Sequence, residues 1–331
     1  MIDADPQCNL TIYAADAETI AEIWAPEDLI IDEGIEIALQ GKNKNSLKKL
    51  LGEIRSVHFL LKPTEEGTGE FDTISPPLNL GKNLDLIPGR LSLHAYEEKI
   101  ASRWADAYRG DPLAIRTLTR MRTLAEEYAD AYGYEYVIVD TSPSLGALNK
   151  VIISTVDGFF VPASPDLFSL YGIRNIGKSL TKWKADFDTL YKLISSDKRK
   201  QFPPRFVTFL GYTIYNAKKY TTGYKWNLAQ AHLSFAEKIP AAITKYIPAE
   251  LRSHITESEL QDPIGGTSVM HTHNTFPALA QHYHAPMWMV PRLALDPEHQ
   301  NTVLGASQRF KDTKGAYKSF ATDLLKRLKK V

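Results

Sequence analysis

Residues 134–168 read YEYVIVDTSPSLGALNKVIISTVDGFFVPASPDLF. Residues 136–139 are an unbroken apolar run with β-branched members, the pattern of a strand buried on both faces of a parallel sheet. The run stops on Asp140. A turn rich in hydroxyls follows at residues 141–144, then a helical stretch over 145–155 and a short strand over 158–161 closed by Pro162. A helix is expected from about Asp166 to Ile194. Strand, helix and strand in this order predict a mostly parallel sheet with helices on both sides.

The alternation extends outward. Upstream, Ala114, Leu118, Met121, Ala125 and Tyr128 recur at helical spacing, and Gly133 is placed to end that helix. Residues 84–87 read as a short strand stopped by Pro88 and Gly89. Residues 63–77 read as a loop, residues 57–61 as a strand, and residues 17–51 as helical, with boundaries near Gly41 and Gly52. Met1 and Ile2 read as the tail of an apolar strand running into Asp3-Ala4-Asp5-Pro6-Gln7. Downstream, residues 206–215 are a predicted strand, followed by a basic, aromatic loop and further helix. Residues 287–290 predict a late strand closed by Pro291, and the last helix carries Tyr317, Phe320, Leu324 and Leu328 on one face.

Composition narrows the functional classes. The chain has 331 residues, 44% hydrophobic and 24% charged, as in ordinary globular proteins. Acidic and basic residues balance at 39 each, so a nucleic-acid partner would have to meet a local patch. The single cysteine, Cys8, excludes an intrachain disulfide framework and predicts a reducing, cytoplasmic setting; it reads as a small neutral filler. No apolar run reaches the ~18 residues of a membrane span, and the first residues lack the pattern of a signal peptide.

Ligands of open parallel sheets bind at the carboxyl ends of the strands. Asp3, Asp5 and Asp140 stand at the ends of two apolar runs, where hard carboxylate oxygens can hold Mg²⁺ directly or through water. An aspartate there can also simply cap the next helix. The hydroxyl-rich residues after Asp140 favour the metal-side reading.

Two segments resemble the ParA/MinD-type P-loop ATPases. MIDADPQCNLT, residues 1–11, is similar to the D-x-D-P-Q-x-N-x-T segment after their second strand. Residues 134–180 resemble their Walker B strand, D-x-x-P-S-L turn, helix and following V-P-x-x-P strand end. Weaker similarity covers residues 84–88, 209–216 and the stretch from Met287 onward. The resemblance implies a doubly wound, mostly parallel α/β domain of P-loop NTPase type over residues 1–331, with a family-variable insertion around residues 195–286.

The resemblance also implies roles. Asp140 would be the Walker B carboxylate holding Mg²⁺ through water. Asp5 would position or activate the attacking water, and Asp3 would lie near Mg²⁺ and the phosphates. Asn216 and Pro291 would border the adenine of ATP. The deviant Walker A loop K-G-G-x-G-K-T would lie about 30 residues before Asp3. Nothing precedes Met1 here, so the first strand, P-loop and first helix are lacking, and the chain as written is expected to bind ATP weakly or not at all. An internal methionine taken as the start is the first explanation, and a degraded ATPase the second. Family members partition or position DNA or cellular cargo as ATP-dependent homodimers, bind DNA non-specifically and respond to a ParB-like activating protein. A non-hydrolysing DNA- or protein-binding module on the same fold is the alternative. The lack of paired cysteines argues against a cluster-carrying relative.

Three further patterns need weighing. Residues 172–179 match G-x-x-x-x-G-K-S letter for letter, but a true P-loop follows a strand directly, and the residues before Gly172 read as helix. His271, His273, His282 and His284 form two H-x-H pairs that could hold zinc or another transition metal; a solvated or packed histidine cluster is preferred. Lys218, Lys219 and Lys225 interleave with Tyr215, Tyr220, Tyr224 and Trp226, which suits phosphate and base contacts. Lys326, Arg327, Lys329 and Lys330 add charge at the C-terminus, where a solvated helix end explains them equally well.

Overall fold

The computed structural model describes residues 1–40, 44–220 and 224–331; the expected helix boundary at Gly41 lies outside the described residues. The chain divides into two compact units, residues 1–155 with 188–204, and residues 156–187 with 205–331.

In the first unit β1 (Ile2–Asp3) leads into α1 (Asn9–Ala14), and helices α2 (Ala17–Trp24), α3 (Asp28–Glu33), α4 (Ile35–Leu39), α5 (Lys44–Leu51) and α6 (Val57–Glu66) follow. A hairpin of β2 (Leu78–Gly81) and antiparallel β3 (Leu84–Leu86) precedes α7 (His94–Ala107) and α8 (Pro112–Tyr132), then β4 (Val139–Asp140) and α9 (Ala147–Thr155). β1 pairs in parallel with β4, and Ile2 bridges Ile87 in parallel along the opposite edge. Successive residues of β1 serve the two edges: Ile2 N donates to Ile138 O at 2.9 Å and Asp3 N to Ile87 O at 3.1 Å, and just past the strand Ala4 N donates to Asp140 O at 2.9 Å.

Local chemistry sets the long helix α8. Asp111 caps it by accepting from Ala114 N at 2.7 Å, Pro112 opens it, and Gly133 closes it at φ 71°. Left-handed backbone is inexpensive for glycine, so the helix stops there. Ala114, Leu118, Met121 and Tyr128 are buried as the spacing predicts, while Ala125 is half-buried and Leu124 takes the inner position.

The expected strand at residues 57–61 is instead the first part of α6. Ser56 caps it by accepting from Phe59 N, and every residue from Val57 to Glu65 is buried. A helix buried all round shows an unbroken apolar run, which periodicity cannot tell from a strand. Its polar members are paired internally. His58 bridges Ser92 Oγ at 2.7 Å and Glu65 Oε2 at 2.8 Å, and Lys62 Nζ lies 2.9 Å from Glu65 Oε1. These partners hold the Glu65 carboxyl down at about 2 against the effect of burial.

The expected buried strand at residues 136–139 also needs correction. β4 has two residues and, among the described residues, pairs along one edge only. Tyr136 is 39% and Ile138 57% exposed. Its apolar character satisfies neither face completely.

The second unit contains β5 (Gly158–Ala163) and most of α10 (Leu167–Leu193); the division between units falls inside α10, and α11 (Ser196–Arg199) belongs to the first unit. β6 (Thr208–Ile214) pairs in parallel with β5. Then come α12 (Gln230–Ala236), α13 (Ile239–Tyr246), α14 (Glu257–Gln261), α15 (Phe276–His282), α16 (Pro297–Gly305) and α17 (Ser307–Leu328). The late strand expected at residues 287–290 is a 3-10 turn, Met287–Arg292, with Pro291 inside it. Proline lacks the N–H a strand ladder uses, and Val290 is buried against the helices rather than paired in a sheet. On the predicted face of α17, Phe320, Leu324 and Leu328 are half-buried, Phe320 meeting Phe160 at 5.8 Å between rings, while Tyr317 is exposed and lies 5.9 Å from Trp288; the buried positions are Phe310, Thr313 and Arg327. No helix among the described residues is long and apolar enough to cross a membrane.

Candidate functional site at the ends of two parallel strands

Asp3, Asp5 and Asp140 all belong to the first unit, and the parallel pairing sets Asp3 directly beside Asp140. The three carboxylates have different surroundings. Asp3 is fully buried. Its Oδ2 accepts from Thr11 N at 2.8 Å and Thr11 Oγ1 at 2.6 Å, and its Oδ1 accepts from Asp5 N at 3.2 Å. Thr11 Oγ1 in turn accepts from Gly89 N at 2.7 Å. A Cβ on Gly89 would stand 2.8 Å from the Asp3 carboxyl and 3.1 Å from Cys8 Sγ, so this backbone approach requires glycine. Asp3 thus ties the loop after β1 to the end of the neighbouring strand.

Asp5 closes the next turn. Its Oδ1 accepts from Gln7 N at 3.0 Å, and Asn9 Nδ2 lies 3.5 Å from its Oδ2. Cys8 adopts left-handed backbone at φ 55° to enter α1. Burial pushes its thiol up to about 12, so it is an inert apolar filler, as expected from sequence.

Asp140 is the exposed member. Its carboxyl is nevertheless pushed above the usual carboxylate range, first by partial loss of hydration and then by the negative charges of Asp3 and Asp5. Burial likewise pushes Asp3 up, against the hydrogen bonds from Thr11 and Asp5. A cation near Asp140 would relieve both effects. Asp140 thus has a carboxylate that could hold a cation, whereas both oxygens of Asp3 are already engaged by internal donors.

The loop after Asp140 is held by a residue that sequence reasoning did not single out. Asn149, buried on α9, donates from Nδ2 to Ser142 O and Ser144 O, both at 2.6 Å. Its Oδ1 is buried without a hydrogen-bond partner. Glu97 of α7 accepts from Leu148 N at 3.3 Å near the start of α9. Asn149 lies inside the segment that resembles the Walker B region, but nothing local marks its amide as a loop clamp.

The remaining expected residues lie in the second unit. Asn216 follows β6 in left-handed backbone at φ 56°, and Pro291 is half-buried in its 3-10 turn. Lys218, Lys219 and Lys225 are exposed, as are Tyr215, Tyr220 and Tyr224, and Lys225 Nζ sits 4.1 Å from the centre of the Trp226 ring. Lys326 is exposed, but Arg327 points inward. It is 3% exposed, donates to Leu210 O at 3.3 Å and pairs with Asp323 at 3.3 Å. Arg327 is thus a core residue and cannot serve a DNA-facing surface.

Residues 172–179, the P-loop look-alike, are helical within α10. Gly177 has a packing reason: a Cβ there would stand 2.3 Å from Tyr246 O of α13. The four expected histidines do not converge. His271 Nε2 lies 3.0 Å from Trp226 O, and His273 stacks on Tyr317 at 6.2 Å. His282 instead meets Asp296 and His299.

Carboxylates at the carboxyl ends of adjacent parallel strands, with helices returning between strands, place the site in an α/β domain with parallel strands. The family model described as "AAA domain" matches residues 1–192, more than half of the chain, and the chain belongs to that family. Uncharacterized protein Rv1708 of Mycobacterium tuberculosis is 29% identical over 102 residues, 30% of this chain and 28% of that protein. Uncharacterized protein MJECL24 of Methanocaldococcus jannaschii is 26% identical over 176 residues, 53% of this chain and 50% of that protein. The chain thus spans half or less of the curated relatives it matches. Among solved structures, protein DIP2308 from Corynebacterium diphtheriae shares the fold at TM-score 0.54 and 21% identity, covering 77% of this chain and 79% of that one.

Proposed function

We propose that this chain is the catalytic-fold portion of a ParA-like ATPase that positions or partitions DNA or cellular cargo. The observation that carries this reading is Asp140. It is a solvent-accessible carboxylate at the end of a parallel strand, with its charge opposed by two neighbouring carboxylates and its following loop clamped by Asn149.

In this reading Asp140 holds Mg²⁺ through water. Asp5, fixed by its turn, orients the attacking water, and Asn216 and Pro291 border the adenine. Asp3 acts as a positioning residue that sets the loop between β1 and α1. Bound Mg²⁺·ATP would supply the transferable phosphoryl group and neutralise its charge. The residues here orient water and cation, which suits a reaction governed by positioning and electrostatics. An ATP-dependent homodimer, a ParB-like activating protein and non-specific DNA contact through Lys218, Lys219, Lys225 and Lys326 complete the proposal.

The test is ATP turnover by the expressed gene product beside its Asp140→Ala variant. Loss of turnover on the order of 100-fold, as for removal of a group that stabilises the transition state, is expected. Unchanged turnover would remove Asp140 from the mechanism. Absence of turnover in the parent, with DNA binding retained, would favour the non-hydrolysing binding module.

A further inference from the structure

Among the described residues, three metal-ligating side chains converge away from the strand-end carboxylates, all within the second unit. His282 is the last residue of α15, Asp296 is the N-cap of α16, and His299 lies in the first turn of α16. One ligand atom from each lies within 4.8 Å of the others. His282 Nε2 is 2.7 Å and His299 Nδ1 3.7 Å from the same oxygen, Asp296 Oδ2. The His282 and His299 rings meet edge to face with centres 4.9 Å apart.

We propose that His282, Asp296 and His299 form a binding site for a divalent transition-metal ion of the zinc class. Two imidazoles and one carboxylate are the donors such ions take when a coordination position stays open. Tetrahedral ligands at zinc bond lengths are about 3.3 Å apart. The 2.7 Å and 3.7 Å separations from Asp296 bracket that value, and all three ligand atoms lie within 4.8 Å of one another, within reach of side-chain rotation around one ion.

The surroundings favour the same role. Tyr283 supplies an outer partner. Its hydroxyl accepts from Asp296 N at 2.9 Å and lies 2.9 Å from His299 Nδ1 and 3.4 Å from Asp296 Oδ2. When the ion takes His299 Nδ1, that hydroxyl is left to donate to the carboxylate and orient it. For Nε2 of His282 to take the ion, the neutral imidazole carries its proton on Nδ1 and the Nε2 contact with Asp296 is replaced by the metal. His282 and His299 also line an open cavity of about 330 Å³ with Thr275, Ala278, Leu279 and Thr302. The cavity leaves the remaining coordination positions open to water from this side.

Isothermal titration of the tag-free full chain with zinc sulfate tests the site, followed by visible absorption of the Co²⁺-loaded protein. One Zn²⁺ per chain is expected. His282→Gln, Asp296→Asn and His299→Gln should each lower affinity on the order of tenfold or more and remove the Co²⁺ bands. His271→Gln and His273→Gln should leave both unchanged. Circular dichroism checks folding of each variant; should one unfold, the other two ligand variants decide. No saturable uptake by the folded chain, uptake that survives the ligand substitutions, or loss that follows His271 or His273 would overturn the proposal.

Discussion

At the residue scale, Asp3 shows how a side chain in a functional motif can be a structural tie. Three donors converge on its buried carboxylate. Asp3→Ala leaves Thr11 N–H, Thr11 hydroxyl and Asp5 N–H without that acceptor, and each unmet buried group costs about 1–3 kcal/mol before relaxation. We expect a loss of about 2–4 kcal/mol in urea unfolding of the first unit. A change below about 0.5 kcal/mol would show that water replaces the carboxylate.

Glu27 carries a second residue-scale expectation. It is fully buried, accepts from Ser56 N at 2.7 Å and Ser56 Oγ at 2.6 Å, and lies 3.2 Å from Arg90 Nη1. Burial outweighs these partners and raises its carboxyl from 4.5 to about 7. The folded state then binds more protons than the unfolded chain between those values. Stability should therefore fall as pH rises through that window, with a slope of at most about 1.4 kcal/mol per pH unit. Glu65, held at about 2, acts in the opposite sense, and its contribution is lost as pH falls from 4.5 towards that value. Denaturant titrations across pH should show Glu27→Gln flattening the upper limb and leaving the acid limb in place.

At the element scale, α10 separates letters from geometry. Residues 172–179 carry a phosphate-loop spelling, yet they turn as helix, with Lys178 exposed and Gly177 pressed on the backbone of α13. Gly177→Ala should destabilise the second unit by about 1–3 kcal/mol, because a backbone carbonyl cannot rotate aside as a side chain can. Lys178→Ala should leave nucleotide affinity unchanged, measured by fluorescent-nucleotide titration. A large loss would restore the P-loop reading. The same scale explains α6 and the 3-10 turn at Met287–Arg292. In each the apolar residues mark burial in sequence, while the backbone form depends on Ser56 as a cap and on Pro291, and the burial of Lys62 and Glu65 depends on their mutual pairing.

At the scale of the whole molecule, equal acidic and basic totals mean that any nucleic-acid contact is local. The exposed lysines 218, 219 and 225 stand among exposed tyrosines, whereas Arg327 is sequestered by Leu210 and Asp323. If this loop contacts DNA as proposed, replacing the three lysines by alanine should lower the slope of log K against log salt by about 2–3. Arg327→Ala should instead lower thermal stability, because it removes a buried charge that pairs with Asp323 and leaves Leu210 O without its donor. DNA titrations over a salt series and a melting curve read the two effects separately.

The sequence alone determined the strands at residues 158–161 and 206–215 in outline, the stop of α8 at Gly133, the family motifs around Asp5 and Asp140, and the rejection of the P-loop spelling in α10. These are local properties, written in hydrophobic period, turn chemistry and short-range spacing. Tertiary structure decided that Asp3 ties a loop, that Asn149 clamps the residues after Asp140 and that Arg327 faces inward. It also dispersed the two H-x-H pairs and joined His282 to Asp296 and His299, fourteen and seventeen positions further along the chain. Such meetings follow from where α15 and α16 pack, and no periodicity along one segment encodes which distant side chains that packing will bring within a bond length.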